Sequence, residues 1–141
     1  MPGLMLLSAT LLIMGFEPRQ AGEEAAVRAV INQYFKGHST ARSDEMSKAF
    51  LPSAHIEGIR DGVFTSWTAS EYSGRFTGRP AADEASRKRT IDLVSLSGTA
   101  AMASATLVHG ATTFTDYFVL LKVNGDWKIA NKVYSSRPTS R

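Results

Sequence analysis

A chain of 141 residues with 43% hydrophobic and 21% charged side chains has the length and composition of one domain with its own core, not of a disordered or fibrous protein. It has no cysteine, which excludes disulfides, thiolate nucleophiles and cysteine metal sites. The formal charge of +3 does not mark a nucleic-acid binder: the one tight basic run, Arg87-Lys88-Arg89, leads straight into a strand-like stretch, and the other cations are scattered without interleaved aromatics.

Leu4 to Phe16 is almost wholly apolar and ends at Glu17-Pro18-Arg19. It is too short to span a bilayer as a helix, so no stable membrane span is expected, but it suits the core of an export signal. Residues 1–22 are therefore expected to be a signal peptide or leader, placing the protein in the periplasm or outside the cell. If they are not, it is cytoplasmic. No Lys or Arg precedes the apolar run, and no small-x-small cleavage site follows it.

From Glu23 the apolar residues Val27, Val30, Ile31, Tyr34 and Phe35 recur at the spacing of one helical face, and Gly37 is the expected stop. Ser43 or Asp44 caps a short second helix carrying Met46, Ala49 and Phe50 and ending before Pro52. Ala54–Arg60 and Val63–Trp67 read as strands joined at Asp61-Gly62. Thr68-Ala69-Ser70-Glu71 is a capping box opening a third helix with Tyr72 and Phe76. Four more strands follow, at Arg89–Leu96, Ala100–Val108, Thr112–Val123 and Asp126–Tyr134, the last two joined by Asn124-Gly125, a type I′ turn pair. Residues 137–141 are expected to fray.

On the last strand, alternation puts Trp127, Ile129, Asn131 and Val133 on one face and Lys128, Ala130, Lys132 and Tyr134 on the other. Its partner is apolar on both faces, with Phe114, Phe118 and Leu120 on one and Tyr117, Val119 and Leu121 on the other. Such a strand needs two covers. The domain at 23–136 supplies one, and a second copy of the chain, in a homodimer through the sheet face, is the expected other.

Helices gathered on one side of a curved antiparallel sheet make an α+β layer fold with a cone between sheet and long helix. The chain resembles the nuclear transport factor 2-like superfamily, and within it the putative lumazine-binding family. The resemblance rests on Tyr34-Phe35-Lys36-Gly37, on Phe50-Leu51-Pro52-Ser53-Ala54-His55-Ile56, on Asp61-Gly62, and on Phe114-Thr-Asp-Tyr-Phe with Asn124-Gly-Asp-Trp-Lys-Ile-Ala-Asn-Lys132. It implies the conical fold. That fold hosts ketosteroid isomerases, dehydratases, cyclases and plain binders, so it implies a pocket more than a reaction.

Tyr34 is a candidate oxyanion donor, since a tyrosine on the corresponding helix has that role in ketosteroid isomerases. It also reads, and more readily, as a core tyrosine with a satisfied hydroxyl. His55 and Glu57 share a strand face and are an acid–base or metal-ligand pair on paper, but His38 and His109 lie at no ligand spacing, so no metal is expected. Asp116 sits between Phe114 and Phe118 on the same face, where a charge is costly unless paired or useful. Counted back from the hairpin, the oxyanion-side acid of ketosteroid isomerases falls nearer Phe114, and their base has no counterpart here. Asn131 and Trp67 complete an expected ligand-binding set of Tyr34, His55, Trp67, Phe114, Asp116, Phe118 and Asn131, with Asp116, Tyr34 and His55 as catalytic candidates.

No P-loop, dinucleotide fingerprint, nucleophile elbow or H-E-x-x-H pattern occurs, and no cofactor is expected. Three functions fit: a binder of a small apolar or aromatic molecule; a cofactor-free isomerase, dehydratase or cyclase; and an interaction module docking a protein through Tyr117, Lys132 and Tyr134.

Overall fold

The computed structural model describes residues 16–140. Three helices, α1 (Phe16–Thr40), α2 (Ser43–Ser47) and α3 (Ala69–Gly74), accompany six strands: β1 (His55–Arg60), β2 (Val63–Thr68), β3 (Lys88–Ser97), β4 (Ala100–His109), β5 (Thr112–Val123) and β6 (Asp126–Pro138). The strands form one sheet in the order β2-β1-β6-β5-β4-β3. Its pairings are antiparallel except β1 with β6. This is the α+β cone expected from the sequence.

Most of the expected local signals are present. Asp61-Gly62 and Asn124-Gly125 each place two successive residues at positive φ (52° and 77°, 51° and 89°), as a type I′ turn requires. The Thr68 hydroxyl accepts from the Glu71 amide while the Glu71 carboxylate accepts from the Thr68 amide, closing the capping box.

Three expectations need correction. Helix α1 already includes Phe16, ahead of the expected start at Glu23, while residues 4–15 of the proposed leader core, Leu4 to Phe16, lie outside the described residues. Gly37 does not end the helix. It is buried where α2 crosses, and a Cβ there would lie 2.7 Å from Met46 Cα, so it serves close approach. Nor does the chain fray after Ser136: β6 continues to Pro138, opposite Thr112, and the Thr139 amide donates to Ala111 O at 2.9 Å. No described helix is long and apolar enough to cross a membrane.

Val27, Ile31 and Tyr34 of α1 share one core with Ala101, Ala103, Ala105 and Leu107 of β4 and Phe118 and Leu120 of β5. The alanines stand opposite bulky partners (Ala101 to Leu120, Ala103 to Phe118), and this small-to-large pairing leaves room for the helix. At the hairpin end Trp127 Nε1 and Lys122 Nζ both donate to the Glu23 carboxylate, at 2.7 and 2.6 Å, pinning α1 to the sheet.

A β-bulge in β6 decides where the site lies. Val119 pairs with Asn131 but Leu120 pairs with Ile129, leaving Ala130 as an extra residue. Before it, Trp127 and Ile129 point inward and are buried; beyond it Lys132 does so and is 4% exposed, while Val133 is exposed. The unbroken alternation expected from the sequence therefore fails halfway along the strand. The face left outside holds Met102, Tyr117, Val119, Leu121 and Val133, all large and exposed.

Candidate functional site

Under the open end of the cone lies a cavity of about 300 Å³. Its wall begins on β5 and β6, where Asp116 and Lys132 turn inward, and is completed by Tyr34 of α1 and Tyr72 of α3. Lys132 Nζ stands 3.1 Å from Asp116 Oδ2, with the two side chains only 4% and 2% exposed. The Tyr34 hydroxyl donates to the same Oδ2 at 2.6 Å and accepts from Lys132 Nζ at 3.0 Å. Asp116 Oδ1 takes no hydrogen bond among the described residues. Tyr72 and His38 extend the chain: the two tyrosine hydroxyls are 3.5 Å apart, and Tyr72 Oη lies 3.2 Å from His38 Nε2.

The ammonium is also caged by aromatic faces, with the rings of Tyr134, Tyr34 and Tyr72 centred 5.0, 5.1 and 5.5 Å from Nζ. Tyr134 fits because its β1 neighbour is Gly58, where a Cβ would fall 2.5 Å from the ring. Its hydroxyl is tied to Thr65 Oγ1 at 2.6 Å. Trp67 stacks on it at 6.5 Å with planes 10° apart.

These surroundings set the protonation states. Burial pulls the Lys132 ammonium down, but Asp116 and the tyrosine oxygens outweigh it, and the net shift is upward. Burial, and then the Asp116 charge, push Tyr34 well above the ordinary tyrosine range. Burial together with Lys132 holds His38 well below the ordinary imidazole range. Burial, with Arg89 and Arg87 nearby, holds His109 at about 4. At neutral pH the wall thus carries a charged Lys132, a protonated Tyr34 and two neutral imidazoles. His109 Nε2 is buried without a hydrogen-bond partner among the described residues.

Residues 22–135 match the family described as "Putative lumazine-binding". The chain belongs to this family. A crystal structure of an NTF2-like protein of unknown function from Shewanella baltica OS155 is 29% identical, with a TM-score of 0.75 over 84% of this chain and 97% of that one. A ketosteroid isomerase-like protein from Erwinia carotovora atroseptica, at 15% identity and a TM-score of 0.62 over 84% and 98%, shares the fold. The curated protein "Aldolase FrzH" of Cladobotryum sp. is 24% identical over 120 residues, 84% of this chain and 94% of its own length.

Of the residues that the sequence offers as the site, Tyr34, Trp67, Phe114 and Asp116 line the cavity together. Phe118 does not; it is buried behind Tyr34, their rings 5.3 Å apart. His55 is exposed on the opposite face of β1 and contributes only its backbone amide, which donates to Asn131 Oδ1 at 3.0 Å. Asn131 is turned away from the cone by the bulge and serves that amide instead. The same bulge withdraws Lys132 and Tyr134 from the outer face, removing two of the three residues expected to dock a protein there.

Sequence reasoning passed over His38, Tyr72, His109, Tyr134, Arg60 and Arg75 as wall residues, all of which line the cavity. His38 was within reach, one helical turn beyond Tyr34 and on the same face. Among the described residues no three His, Asp or Glu side chains gather as a metal would require.

Proposed function

We propose that this cavity binds a small cyclic or aromatic carbonyl compound, and that the protein acts on it by acid–base chemistry without a cofactor, as an isomerase, dehydratase, cyclase or aldolase. The observation that carries the reading is the Lys132–Asp116 pair bridged by Tyr34 on the cavity wall. A buried ion pair is a poor source of stability, since the desolvation of both charges offsets their attraction. Where such a pair lines a cavity, use is the better explanation.

The geometry assigns roles. Lys132 donates to the substrate carbonyl oxygen and stabilises the charge that develops there. Asp116, through its unengaged Oδ1, removes a proton from the carbon next to that carbonyl, and the electron pair moves to the oxygen as an enolate. Tyr34 holds Asp116 Oδ2 and is a positioning residue. Return of the proton to another carbon gives isomerisation; expulsion of a β-hydroxyl as water gives dehydration; attack of the enolate on a second carbonyl forms a carbon–carbon bond. The ion pair keeps Lys132 an ammonium, which disfavours an imine route. The names of the aldolase and the ketosteroid isomerase-like neighbour are compatible with enolate chemistry.

The test is hydrogen–deuterium exchange at the α-carbon of 1-tetralone in D2O, followed by NMR. The native protein should accelerate exchange, and Asp116→Asn should abolish the acceleration while retaining the fold by circular dichroism. Saturable binding without exchange, extended to other cyclic ketones, would reduce the protein to a binder. That second reading has its own support, because Tyr34, Lys132 and Asp116 already engage one another.

The homodimer through the sheet face belongs to the same proposal. The outer patch is uncharged over Met102, Ser104, Tyr117, Val119, Leu121 and Val133, with Lys128 beside Leu121 and Glu57 beside Val133 at its margin, and a patch apolar at its centre suits an identical copy seated on Val119. Sedimentation equilibrium should give a dimer for the native chain and a monomer for Val119→Lys. A native monomer would remove the dimer and leave the cavity reading standing.

A further inference from the structure

The cavity wall carries more positive charge than its chemistry uses. Three lining cations, Arg60, Arg75 and Lys132, face one lining carboxylate, Asp116, an excess of two. Lys132 and Asp116 answer each other, which leaves both guanidiniums over. The acid nearest Arg60 is its chain neighbour Asp61, 3.8 Å away with a side chain 91% exposed, a pairing of little strength. Arg75 makes no ion pair among the described residues.

Both arginines are nonetheless held in place, by aromatic rings instead of acids. The Arg75 guanidinium lies over Trp67, 4.8 Å from the ring centre, and that of Arg60 over Phe114 at 5.6 Å. Trp67 and Phe114 both contact Tyr134, so the arginines sit at the two ends of one aromatic wall. A guanidinium resting on a ring keeps its N–H edge free, the edge that fits a carboxylate. Burial is slight at these positions and deep at Lys132, so the wall is graded from an open, cationic mouth to a dry ion pair.

We infer that the substrate class is a cyclic or aromatic oxo-acid, with its carbonyl directed to Lys132 and its carboxylate held at the mouth by Arg60 and Arg75. The inference rests on the cavity being the ligand site, as proposed above, but not on any turnover there. A carboxylate at the mouth gives the two guanidiniums their missing partner and orients the ring along the aromatic wall. The same arrangement discriminates against neutral rings of the same shape, which leave both cations unanswered.

The experiment compares 2-naphthoate with 2-naphthamide, probes of nearly equal shape differing in charge. Affinity is measured by titration calorimetry, and occupancy of the cavity by the NMR shift of the Trp67 indole. The native protein should prefer the carboxylate about tenfold. Arg60→Gln and Arg75→Gln should each erode the preference, and the double variant should erase it, the carboxylate and amide affinities being compared within each variant. Equal affinities in the native protein would overturn the oxo-acid assignment while leaving the cavity as the ligand site. A preference surviving in the double variant would also overturn it, transferring the anion to Lys132. If neither probe moves the Trp67 signal, the cavity reading fails and this inference with it.

Discussion

The β5–β6 hairpin behaves as two different structures on either side of Ala130. Toward the turn, Trp127, Ile129 and Leu120 close the cone as a plug of buried apolar side chains. Beyond Ala130, the inward positions belong to Asp116, Lys132 and Tyr134, a charged pair and its aromatic cage around an open cavity. One extra residue separates the part of the cone that stabilises the fold from the part that can act on a ligand. Polar groups gain catalytic value from burial but cost stability there, so segregating the two functions along one hairpin lets each be built without the other.

The most severe way to break this division is to insert one residue between Val119 and Leu120, opposite Ala130. With the extra residue of β6 paired, alternation would run unbroken along both strands and every position beyond it would change face. Phe118, Asp116, Lys132 and Tyr134 would swing outward, Val119, Tyr117, Asn131 and Val133 would turn into the cone, and β1 would have the wrong face opposite Ile56. Loss of a cooperative unfolding transition in urea is expected. A variant that still unfolds cooperatively and still binds naphthoate would show that register is not set by the bulge.

A milder break separates use from stability in the polar half. Lys132→Met alone strands a buried carboxylate and should cost roughly 3–5 kcal/mol, whereas the double variant Asp116→Leu/Lys132→Met should be close to native stability or above it. Chemical denaturation of the two variants measures the difference. A double variant as unstable as the single one would make the pair structural.

How much of this was legible in the sequence follows the same division. The plug half obeys a simple period, so Trp127 and Ile129 were placed correctly from spacing alone, as were the turns, whose residues carry their own backbone preference. The polar half does not, because Ala130 carries no mark of being a bulge: it is small, it is not glycine, and its neighbours continue a plausible alternation. Every error downstream of it has one cause. Asn131 was turned inward, and Lys132 and Tyr134 were turned outward. Asp116 was legible as a misplaced charge, but its partner was not, since identifying Lys132 requires the register. His55 was misplaced for a different reason. On a six-residue edge-side strand the inward face is set by Ile56 and Gly58, and glycine leaves no hydrophobic signal.

Gly58 offers a finer probe of the cage. Gly58→Ala would place a methyl against the Tyr134 ring, and an overpacked contact of this kind costs about 1–3 kcal/mol. Tyr134 must shift, taking Trp67 with it, so naphthoate affinity should fall while the plug, read from Trp127 fluorescence in a Trp67→Phe background, stays native. Unchanged affinity would mean that the aromatic wall is not part of the ligand site.

The smallest expected effect is on pH dependence, and it too divides the molecule. At the plug the one carboxylate in contact, Glu23, is held below the ordinary carboxylate range by its hydrogen bonds from Lys122 and Trp127. The open end instead holds His38 and His109, which titrate higher up the acid range in the unfolded chain. Both imidazoles are held below the value of about 6.5 that they take in the unfolded chain. The unfolded state therefore binds more protons than the native state as pH falls below that value. Their contribution to stability is complete above it and is lost progressively on acidification, down through about 4 for His109. Melting temperature should drop across this window in the native protein and drop less in His38→Gln/His109→Gln. Hydrogen exchange should locate the loss in α3 and the far end of β4, with the amides around Trp127 and Ile129 protected until global unfolding. Equal loss at both ends would mean that the two halves of the cone unfold as one unit, with Ala130 marking a change of face but no boundary in stability.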